Sequence, residues 1–218
     1  MPNYNIQKTV YLVRHGQSEH NVEPVFQSPE SPLSVHGRKQ AGYIAERVAK
    51  LSFDALIASP FSRARETAES IAKVTGKTPE YSELFTECHK PAYLNGKPYA
   101  DQAANRIWRE WETSLRTSGL RSEEGENYDS LVARADQALE FLLQRPEESI
   151  VVVSHGFFMR TMVARVLLGN QLSDQLFSQL RRVTSMENTG LTVLRYYAAF
   201  EDEPRWHLWV YNDHAHLG

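Results

Sequence analysis

Two histidines in this sequence follow short apolar runs in the same way. The chain reads Val-Arg-His-Gly at 13–16 and Val-Ser-His-Gly at 153–156, so His15 and His155 each stand between an apolar run and a glycine. The carboxyl ends of parallel strands gather over one crevice, beside the N–H groups of helix starts, and such a place attracts anions. Arg14 adds a planar guanidinium, which binds phosphate oxygens two at a time. The pattern predicts that both histidines face one anion-binding site.

A third candidate, Arg63, follows the apolar run at 54–59 and so belongs to the same edge of the predicted sheet. Each residue alone has an ordinary interpretation, because a lone histidine is usually on the surface or hydrogen-bonded in the core, and Arg63 is typical of a solvated helix. A metal is the competing ligand for a histidine pair. Neither His15 nor His155 has a metal-ligand spacing, however, and adjacent arginines repel a cation. We therefore expect no metal.

The elements that must position these residues follow from the hydrophobic pattern. Buried strands are predicted at 9–14, 54–59 and 149–154. Apolar residues at helical spacing from Ser34 to Leu51 predict an amphipathic helix. A second helix is predicted to begin with Pro60 at its first position and to end at the cap Gly76.

The stretch from Glu87 to Glu126 departs from this alternation. It holds a loop with Pro, Gly and Tyr and a helix with Trp108 and Trp111, for which we favour a core position, and we interpret it as an inserted lid over the carboxyl ends of the strands. Further elements are predicted as a helix at 130–144, strands at 191–198 and 206–211, and an acidic turn at 201–204. Together, these strands and helices predict one domain over residues 1–218, a three-layer α/β/α sandwich with a mostly parallel central sheet.

Length and composition limit the possible partners. The chain has 218 residues, 41% of them hydrophobic and 23% charged, with a formal net charge of −3. These values exclude a disordered chain and a broadly basic nucleic-acid binder. Residues 150–169 include two arginines and a histidine, too costly for a membrane span, and residues 1–9 lack the apolar core of a signal peptide. The single cysteine, Cys88, favours a reducing cytoplasm.

Several short motifs occur here in the order typical of one family. They are Leu-Val-Arg-His-Gly-Gln-Ser-Glu-His-Asn at 12–21, Leu-Ser at 33–34 with Gly37 and Gln-Ala at 40–41, Ser-Pro at 59–60, Arg-Ala at 63–64, Thr-Ala at 67–68, Gly-Glu at 125–126, Ser-His-Gly at 154–156 and Asn-Thr-Gly at 188–190. On these motifs the chain resembles the histidine phosphatase superfamily, also called phosphoglycerate mutase-like. The resemblance covers nearly the whole length.

The resemblance implies a role for each residue of the predicted site. His15 is expected to be the nucleophile that becomes a phosphohistidine, while Arg14, Arg63 and His155 hold the phosphoryl oxygens. The expected substrate contacts are Asn21, Gly156 and Ser18. The physics agrees, because a neutral imidazole can present a lone pair to phosphorus without a separate base, and cationic donors offset charge in a loose transition state. No cofactor is implied.

The leaving alkoxide needs a proton, so a carboxyl group should stand near the phosphate. The family places this acid shortly after the third strand, usually in Leu-x-Glu. Here the chain reads Glu-Leu-Phe-Thr-Glu at 83–87. Glu87 fits that register, although Phe85 replaces the usual leucine, and Glu83 is the alternative.

The residues around the acid also bear on the reaction. Family members that are cofactor-dependent phosphoglycerate mutases have Glu-Arg-His-Tyr-Gly, whereas this chain has Glu-Cys-His-Lys-Pro at 87–91. The missing Arg and Tyr favour a phosphatase acting on a phosphorylated small molecule. Mutase-type phosphoryl transfer is one alternative, and a non-catalytic protein that recognises phosphate or a partner is another. The sequence leaves the oligomeric state open between a monomer and a homodimer.

Overall fold

A six-stranded sheet forms the centre of the protein. The computed structural model describes residues 6–200 and 203–218, with side chains described for 6–198 and 205–218. The strands in these ranges are β1 (Ile6–Arg14), β2 (Ala55–Ala58), β3 (Pro79–Tyr81), β4 (Ser149–Ser154), β5 (Leu191–Phe200) and β6 (Glu203–Asp213). Their spatial order is β3-β2-β4-β1-β5-β6. The first four are mutually parallel, and β5 pairs antiparallel with both β1 and β6.

Helices cover both faces of this sheet. Within the described residues they are α1 (Glu19–Val22), α2 (Val35–Val48), α3 (Ser62–Thr75), α4 (Gln102–Ser114), α5 (Tyr128–Gln144), α6 (Gly156–Leu168) and α7 (Asp174–Val183). One face of the sheet packs against α2 and α3, and the other against α4, α5, α6 and α7. The predicted three-layer α/β/α sandwich with a largely parallel sheet is confirmed.

The strand sequences explain why each face is buried. The valines of β4 alternate, so that Val152 packs into the core beneath α5 and α6, while Val151 and Val153 pack into the core beneath α2 and α3. All three are fully buried. A central strand covered on both faces reads as a continuous apolar run, which is the pattern of the Ser-Ile-Val-Val-Val-Ser sequence.

Several predicted boundaries were wrong. α3 begins at Ser62 with Phe61 as its N-cap, not at Pro60, so the proline lies before the helix. α2 ends at Val48, which leaves Leu51 outside it. The last strand begins at Glu203 rather than Trp206. The short strand β3 and the helix α7 were not predicted.

Part of the sequence prediction lies outside the described residues. The predicted acidic turn includes residues 201 and 202, and the stretch 1–9, which lacks a signal-peptide core, includes residues 1–5; residues 1–5, 201 and 202 lie outside the described residues. The segment 87–126, interpreted as an inserted lid, contains α4 and a short 3-10 turn at Ala92–Leu94. None of the helices in the described ranges has the length and apolar character that a membrane crossing requires.

Candidate active site

The two predicted histidines lie side by side at the carboxyl ends of β1 and β4. The strands are paired so that Arg14 stands opposite Ser154, and the His15 N–H donates to the Ser154 carbonyl at 3.0 Å. The ring centroids of His15 and His155 are 5.0 Å apart. Both side chains are buried. The sequence pattern thus located a real juxtaposition.

Hydrogen bonds orient the His15 ring. Its Nδ1 lies 2.6 Å from the Gly16 carbonyl oxygen, which can only accept, so Nδ1 carries the proton. The lone pair is therefore on Nε2. The Nε–H of Arg63 donates to that atom at 3.2 Å. His15 consequently presents a fixed tautomer, whose basic nitrogen faces a guanidinium.

Burial and positive neighbours keep both rings neutral. Burial lowers the pKa of His15 well below its usual value, and the charges of Arg63 and then Arg14 lower it further. The pKa of His155 is lowered well below its usual value by burial and then by Arg63. A neutral His15 is the form that can act as a nucleophile.

The second ring is held by a hydroxyl. His155 Nε2 lies 2.8 Å from Ser59 Oγ at the end of β2. Ser59 Oγ also accepts the Phe61 N–H at 3.3 Å, so its own proton is free to point at Nε2. The other ring nitrogen of His155, Nδ1, is buried and has no hydrogen-bond partner.

The two arginines approach from different elements. Arg63, in the first turn of α3, is buried and also donates from Nη1 to the Ser28 carbonyl at 2.9 Å. Burial lowers its pKa to about 10, still high enough to keep the charge near neutral pH. Arg14 donates to the Met186 carbonyl, but its buried Nε has no partner.

Gly156 leaves the space that Arg14 occupies. A Cβ built at Gly156 would lie 3.1 Å from the Nε of Arg14, so a larger residue would press on the guanidinium. Gly156 is also the first residue of α6, where backbone N–H groups lack helical partners. The glycine thus admits the arginine beside the helix start, and the expected substrate contact at Gly156 stays a prediction.

Contacts from distant segments fix the backbone of residues 14–16. The Gly16 N–H donates to Thr67 Oγ1 at 3.1 Å, and Asn188 Nδ2 donates to the His15 carbonyl at 3.0 Å. The Thr189 N–H donates to the Arg14 carbonyl at 3.0 Å, and Thr189 adopts a left-handed φ of 61°. These bonds fix the position of the His15 backbone.

A close approach of two loops explains one glycine motif. A Cβ at Gly37 would lie 1.9 Å from the Gln17 carbonyl oxygen, and one at Gly16 would lie 2.6 Å from the Gly37 carbonyl oxygen. The start of α2 therefore packs directly on the chain that follows His15, a contact that side chains at these positions would prevent.

Of the two candidate acids, Glu87 faces the site. Its Oε1 accepts the Phe158 N–H at 3.0 Å and its Oε2 accepts the Phe157 N–H at 3.2 Å, at the start of α6. Glu83 lies in a 3-10 turn and is exposed. The carboxylate of Glu87 borders the same cavity as Arg63.

That cavity reaches Arg63, whose Nε–H binds His15, whereas neither histidine forms part of its wall. It has a volume of about 530 Å³. Its wall consists of Phe26, Gln27, Ser28, Pro29, Phe61, Arg63, Glu87, Cys88, Lys90, Tyr99, Asn105, Trp108, Trp111 and Phe157. Four of these residues belong to the loop 26–29, and seven to the segment 87–126. The predicted lid segment therefore contributes half of the wall.

Ser18 and Asn21 lie outside that wall. Asn21 Oδ1 accepts both the N–H of Ser18 at 2.9 Å and its hydroxyl at 3.1 Å, which caps the short helix α1. Ser18 is fully buried and also accepts from Gln27 at 3.1 Å. In this arrangement the two residues contact each other, and their expected contact with phosphate stays a prediction.

Several residues that hold the site in place were not predicted. Ser59 and Thr67 were noted as motif residues without a role, although they hold His155 and Gly16. Arg134 was overlooked, although it lies between Leu131 and Ala138 on the apolar face of α5, where a charge signals a buried partner. Cys88 borders the cavity, and burial raises the pKa of its thiol well above the usual value.

One metal-ligand spacing escaped sequence analysis. His214 and His216 form a His-x-His pair near the end of the chain. Nδ1 of His216 lies 3.2 Å from Arg47 Nη1, and its Nε2 lies 3.0 Å from Thr189 Oγ1. Within residues 6–200 and 203–218, no three or more His, Cys, Asp or Glu side chains are grouped so that they could hold a metal ion.

Comparison with known proteins gives the family. A family model for the histidine phosphatase superfamily (branch 1) matches residues 10–212. The "Probable phosphoglycerate mutase GpmB" of Photorhabdus laumondii is 35% identical over 160 residues, which are 72% of this chain and 74% of that protein.

Two solved structures cover nearly the whole chain. Bacillus stearothermophilus YhfR superposes with a TM-score of 0.80 at 25% identity, over 97% of this chain and 100% of that one. A mycobacterial glucosyl-3-phosphoglycerate phosphatase in complex with VO3 gives 0.72 at 25% identity, over 94% and 98%. This chain belongs to the histidine phosphatase superfamily.

Proposed function

We propose that the protein is a phosphatase that hydrolyses small phosphomonoesters through a phosphohistidine on His15, without a metal or an organic cofactor. The observation that carries this proposal is the orientation of His15. Its Nδ1 is bonded to the Gly16 carbonyl, so the lone pair of Nε2 is directed at Arg63. A phosphoryl group whose oxygens accept from Arg63 would replace this hydrogen bond, which frees the lone pair of Nε2 to face phosphorus.

Positive charge at the site comes from the protein itself. Arg63 and Arg14 lie near enough to His15 to lower its pKa. The Arg14 Nε–H and the His155 Nδ1 are buried polar groups without partners, and such groups are costly unless a ligand bonds to them. Phosphoryl oxygens are suitable acceptors. Donors placed in advance around these oxygens stabilise the transition state as a metal does elsewhere.

The proposed reaction has two steps. In the first, Nε2 of His15 forms a bond to phosphorus, the bond from phosphorus to the ester oxygen breaks, and Glu87 gives its proton to the departing alkoxide. In the second, Glu87 takes a proton from water, the water oxygen attacks phosphorus, and the phosphorus–nitrogen bond breaks to release phosphate. Glu87 is suited to this exchange because it borders the cavity beside Arg63.

Mutase-type transfer is the alternative. Relatives named phosphoglycerate mutase support it at 31–35% identity, whereas structures of named phosphatases cover nearly the whole chain at about 25%. The sequence Glu-Cys-His-Lys-Pro at 87–91 favours hydrolysis, because it lacks the Arg and Tyr of the mutases.

The single cysteine supports a cytoplasmic location.

Rapid-quench labelling tests the proposal. The enzyme is mixed with a 32P-labelled phosphomonoester in excess EDTA and quenched in alkali. We expect an acid-labile, base-stable label on the peptide that contains His15, and 18O from labelled water in the released phosphate. The His15→Asn variant should lose the label, and His36→Ala, a change at an exposed position of α2, should keep it. Label on Ser18, Cys88 or His155 would contradict the proposal.

A further inference from the structure

The outer part of the cavity is a wall of packed aromatic rings. The Phe26 ring lies 5.1 Å from Trp108 with an interplanar angle of 35°, and 4.8 Å from Tyr99 edge to face. Trp108 in turn lies 5.2 Å from Trp111. All four rings border the cavity. They come from the loop after α1 and from α4 with its preceding loop, so two separate parts of the chain build one surface.

Two further rings connect this wall to the buried histidines. Phe61 lies edge to face with His155 at 5.3 Å, and the guanidinium of Arg63 lies 5.4 Å from the Phe61 ring. Phe157, whose N–H binds Glu87, also borders the cavity. The cavity therefore has a polar end, where Arg63 and Glu87 stand, and an aromatic end that leads away from it.

The charged groups do not offer a second strong anion site. Lys90 is the other cation of the wall, and its ammonium already donates to the Gln27 carbonyl. Burial, and then the charge of Arg63, lowers the pKa of Lys90 to about 8. A compact, highly charged alcohol would leave the rings of the wall in contact with water, and it would place a charge against apolar surface.

Trp108 is the ring best placed to contact a ligand. It is only half-buried, whereas Trp111 is 1% exposed and donates from Nε1 to the Glu126 carbonyl at 2.8 Å. Trp111 is therefore committed to the fold. Trp108 has an indole face in the cavity, and Asn105, one turn earlier on α4, adds a polar group to the same wall.

We propose that the alcohol part of the substrate contains a planar aromatic ring, which stacks against Trp108 in the aromatic end of the cavity. This inference rests on the proposed phosphatase function, because the phosphate must occupy the polar end. The ring replaces water on a surface that already favours offset or edge-to-face neighbours. Such a contact orients the ester oxygen towards Glu87 and Arg63.

The test compares three esters whose alcohols leave as similar alkoxides. They are 2-phenylethyl phosphate, 2-cyclohexylethyl phosphate and ethyl phosphate, assayed by phosphate release. We expect kcat/KM for the phenylethyl ester to exceed that for the ethyl ester about 10-fold or more, from ring burial and stacking. Equal values for the phenyl and cyclohexyl esters would overturn the aromatic class, and so would equal values for all three.

Variants localise the effect. Trp108→Ala should reduce the ratio of kcat/KM between the phenylethyl and ethyl esters to about threefold or less, and Trp108→Phe, which keeps a ring, should preserve most of that ratio. The control is Trp209→Ala, because Trp209 is exposed on β6 and stacks on Arg195. A preference unchanged in a folded Trp108→Ala protein would contradict the inference. Absence of hydrolysis of every ester by the wild type would instead refute the proposed function.

Discussion

The carboxylate of Glu126 and the guanidinium of Arg134 form a bidentate salt bridge inside the protein. Arg134 Nε donates to Oε1 and Nη2 donates to Oε2, both at 2.7 Å, and the side chains are only 11% and 10% exposed. Arg134 Nη1 also donates to the carbonyls of Leu84 and Thr86 at 3.0 and 2.9 Å. The pair thus fixes the chain segment that leads to Glu87.

Removing one partner of this pair should be costly. Arg134→Met leaves the Glu126 carboxylate buried without its cation and leaves two carbonyls without a donor. We expect the free energy of unfolding to fall by about 3–5 kcal/mol, measured by urea denaturation. The double variant Arg134→Met with Glu126→Gln should lose less, because no unpaired charge remains.

The exposed pair of Arg116 and Glu112 on the surface is the matched control. Its side chains are 43% and 29% exposed, so Arg116→Met should cost no more than about 0.5 kcal/mol. Equal losses for the Arg134 and Arg116 variants would contradict the view that the inner pair holds the segment.

Glu87→Gln tests the proton donor through the leaving group. If Glu87 protonates the departing oxygen, the variant should lose about 100-fold or more on an alkyl phosphate, and far less on para-nitrophenyl phosphate, whose phenolate leaves without a proton. Steady-state kcat/KM on both substrates gives the comparison. Glu83→Gln, a change at an exposed position of the preceding turn, should behave as the wild type. Equal losses on both substrates would show that Glu87 only positions the site.

The sequence predicted the parts of this fold that depend on local pattern. The buried strands at 9–14 and 149–154 are continuous apolar runs, so both were found, and with them the position of His15 beside His155. The short patterns Arg-His-Gly and Ser-His-Gly sufficed because parallel strands place their carboxyl ends together.

Features that depend on long-range packing were not predicted. The strand β3 has three residues and an exposed end, which gives too short a pattern to read. α7 carries its one buried side chain, Phe177, among polar residues. The cavity wall arises where the loop with Phe26 meets α4, and no spacing within either segment reveals that contact. Arg134 was hidden because its partner Glu126 precedes the helix.

Activity should persist without divalent metal. Arg14 and Arg63 supply the positive charge at the site, so excess EDTA should change kcat/KM by less than about twofold. Vanadate should inhibit competitively, because it resembles the geometry of phosphoryl transfer. Activity lost on chelation and restored by zinc or magnesium would overturn this mechanism.

The buried histidines should make stability depend on pH. Both pKa values are lowered in the folded state, so the unfolded chain binds more protons below about pH 6.5. The free energy of unfolding should therefore fall as the pH drops from 6.5 to 5, by up to about 1.4 kcal/mol per pH unit for each histidine. In the His155→Asn variant the slope should be smaller by the contribution of one histidine, which is up to about 1.4 kcal/mol per pH unit. An identical slope would mean that other groups dominate.

Lys90 should set the alkaline limit of substrate binding. Burial and Arg63 lower its pKa to about 8, so Lys90 is charged at pH 7 and becomes neutral by pH 9. Lys90 borders the cavity that would receive the phosphate dianion, and a charge about 4 Å from the dianion would add about 1 kcal/mol of attraction at the dielectric constant of water. We expect kcat/KM to fall about three- to tenfold between pH 7 and 9, mainly through KM.

Variants at position 90 separate this titration from others. At pH 7 the Lys90→Gln variant should have the lower kcat/KM that the wild type reaches only at pH 9. Its kcat/KM should not change between pH 7 and pH 9. Lys90→Arg keeps its charge throughout and should hold the higher value to pH 9, because a guanidinium does not lose its proton in this range. The profile is measured at constant ionic strength, since screening weakens the same attraction. A fall of equal size in the Lys90→Gln protein would assign the alkaline limb to another group.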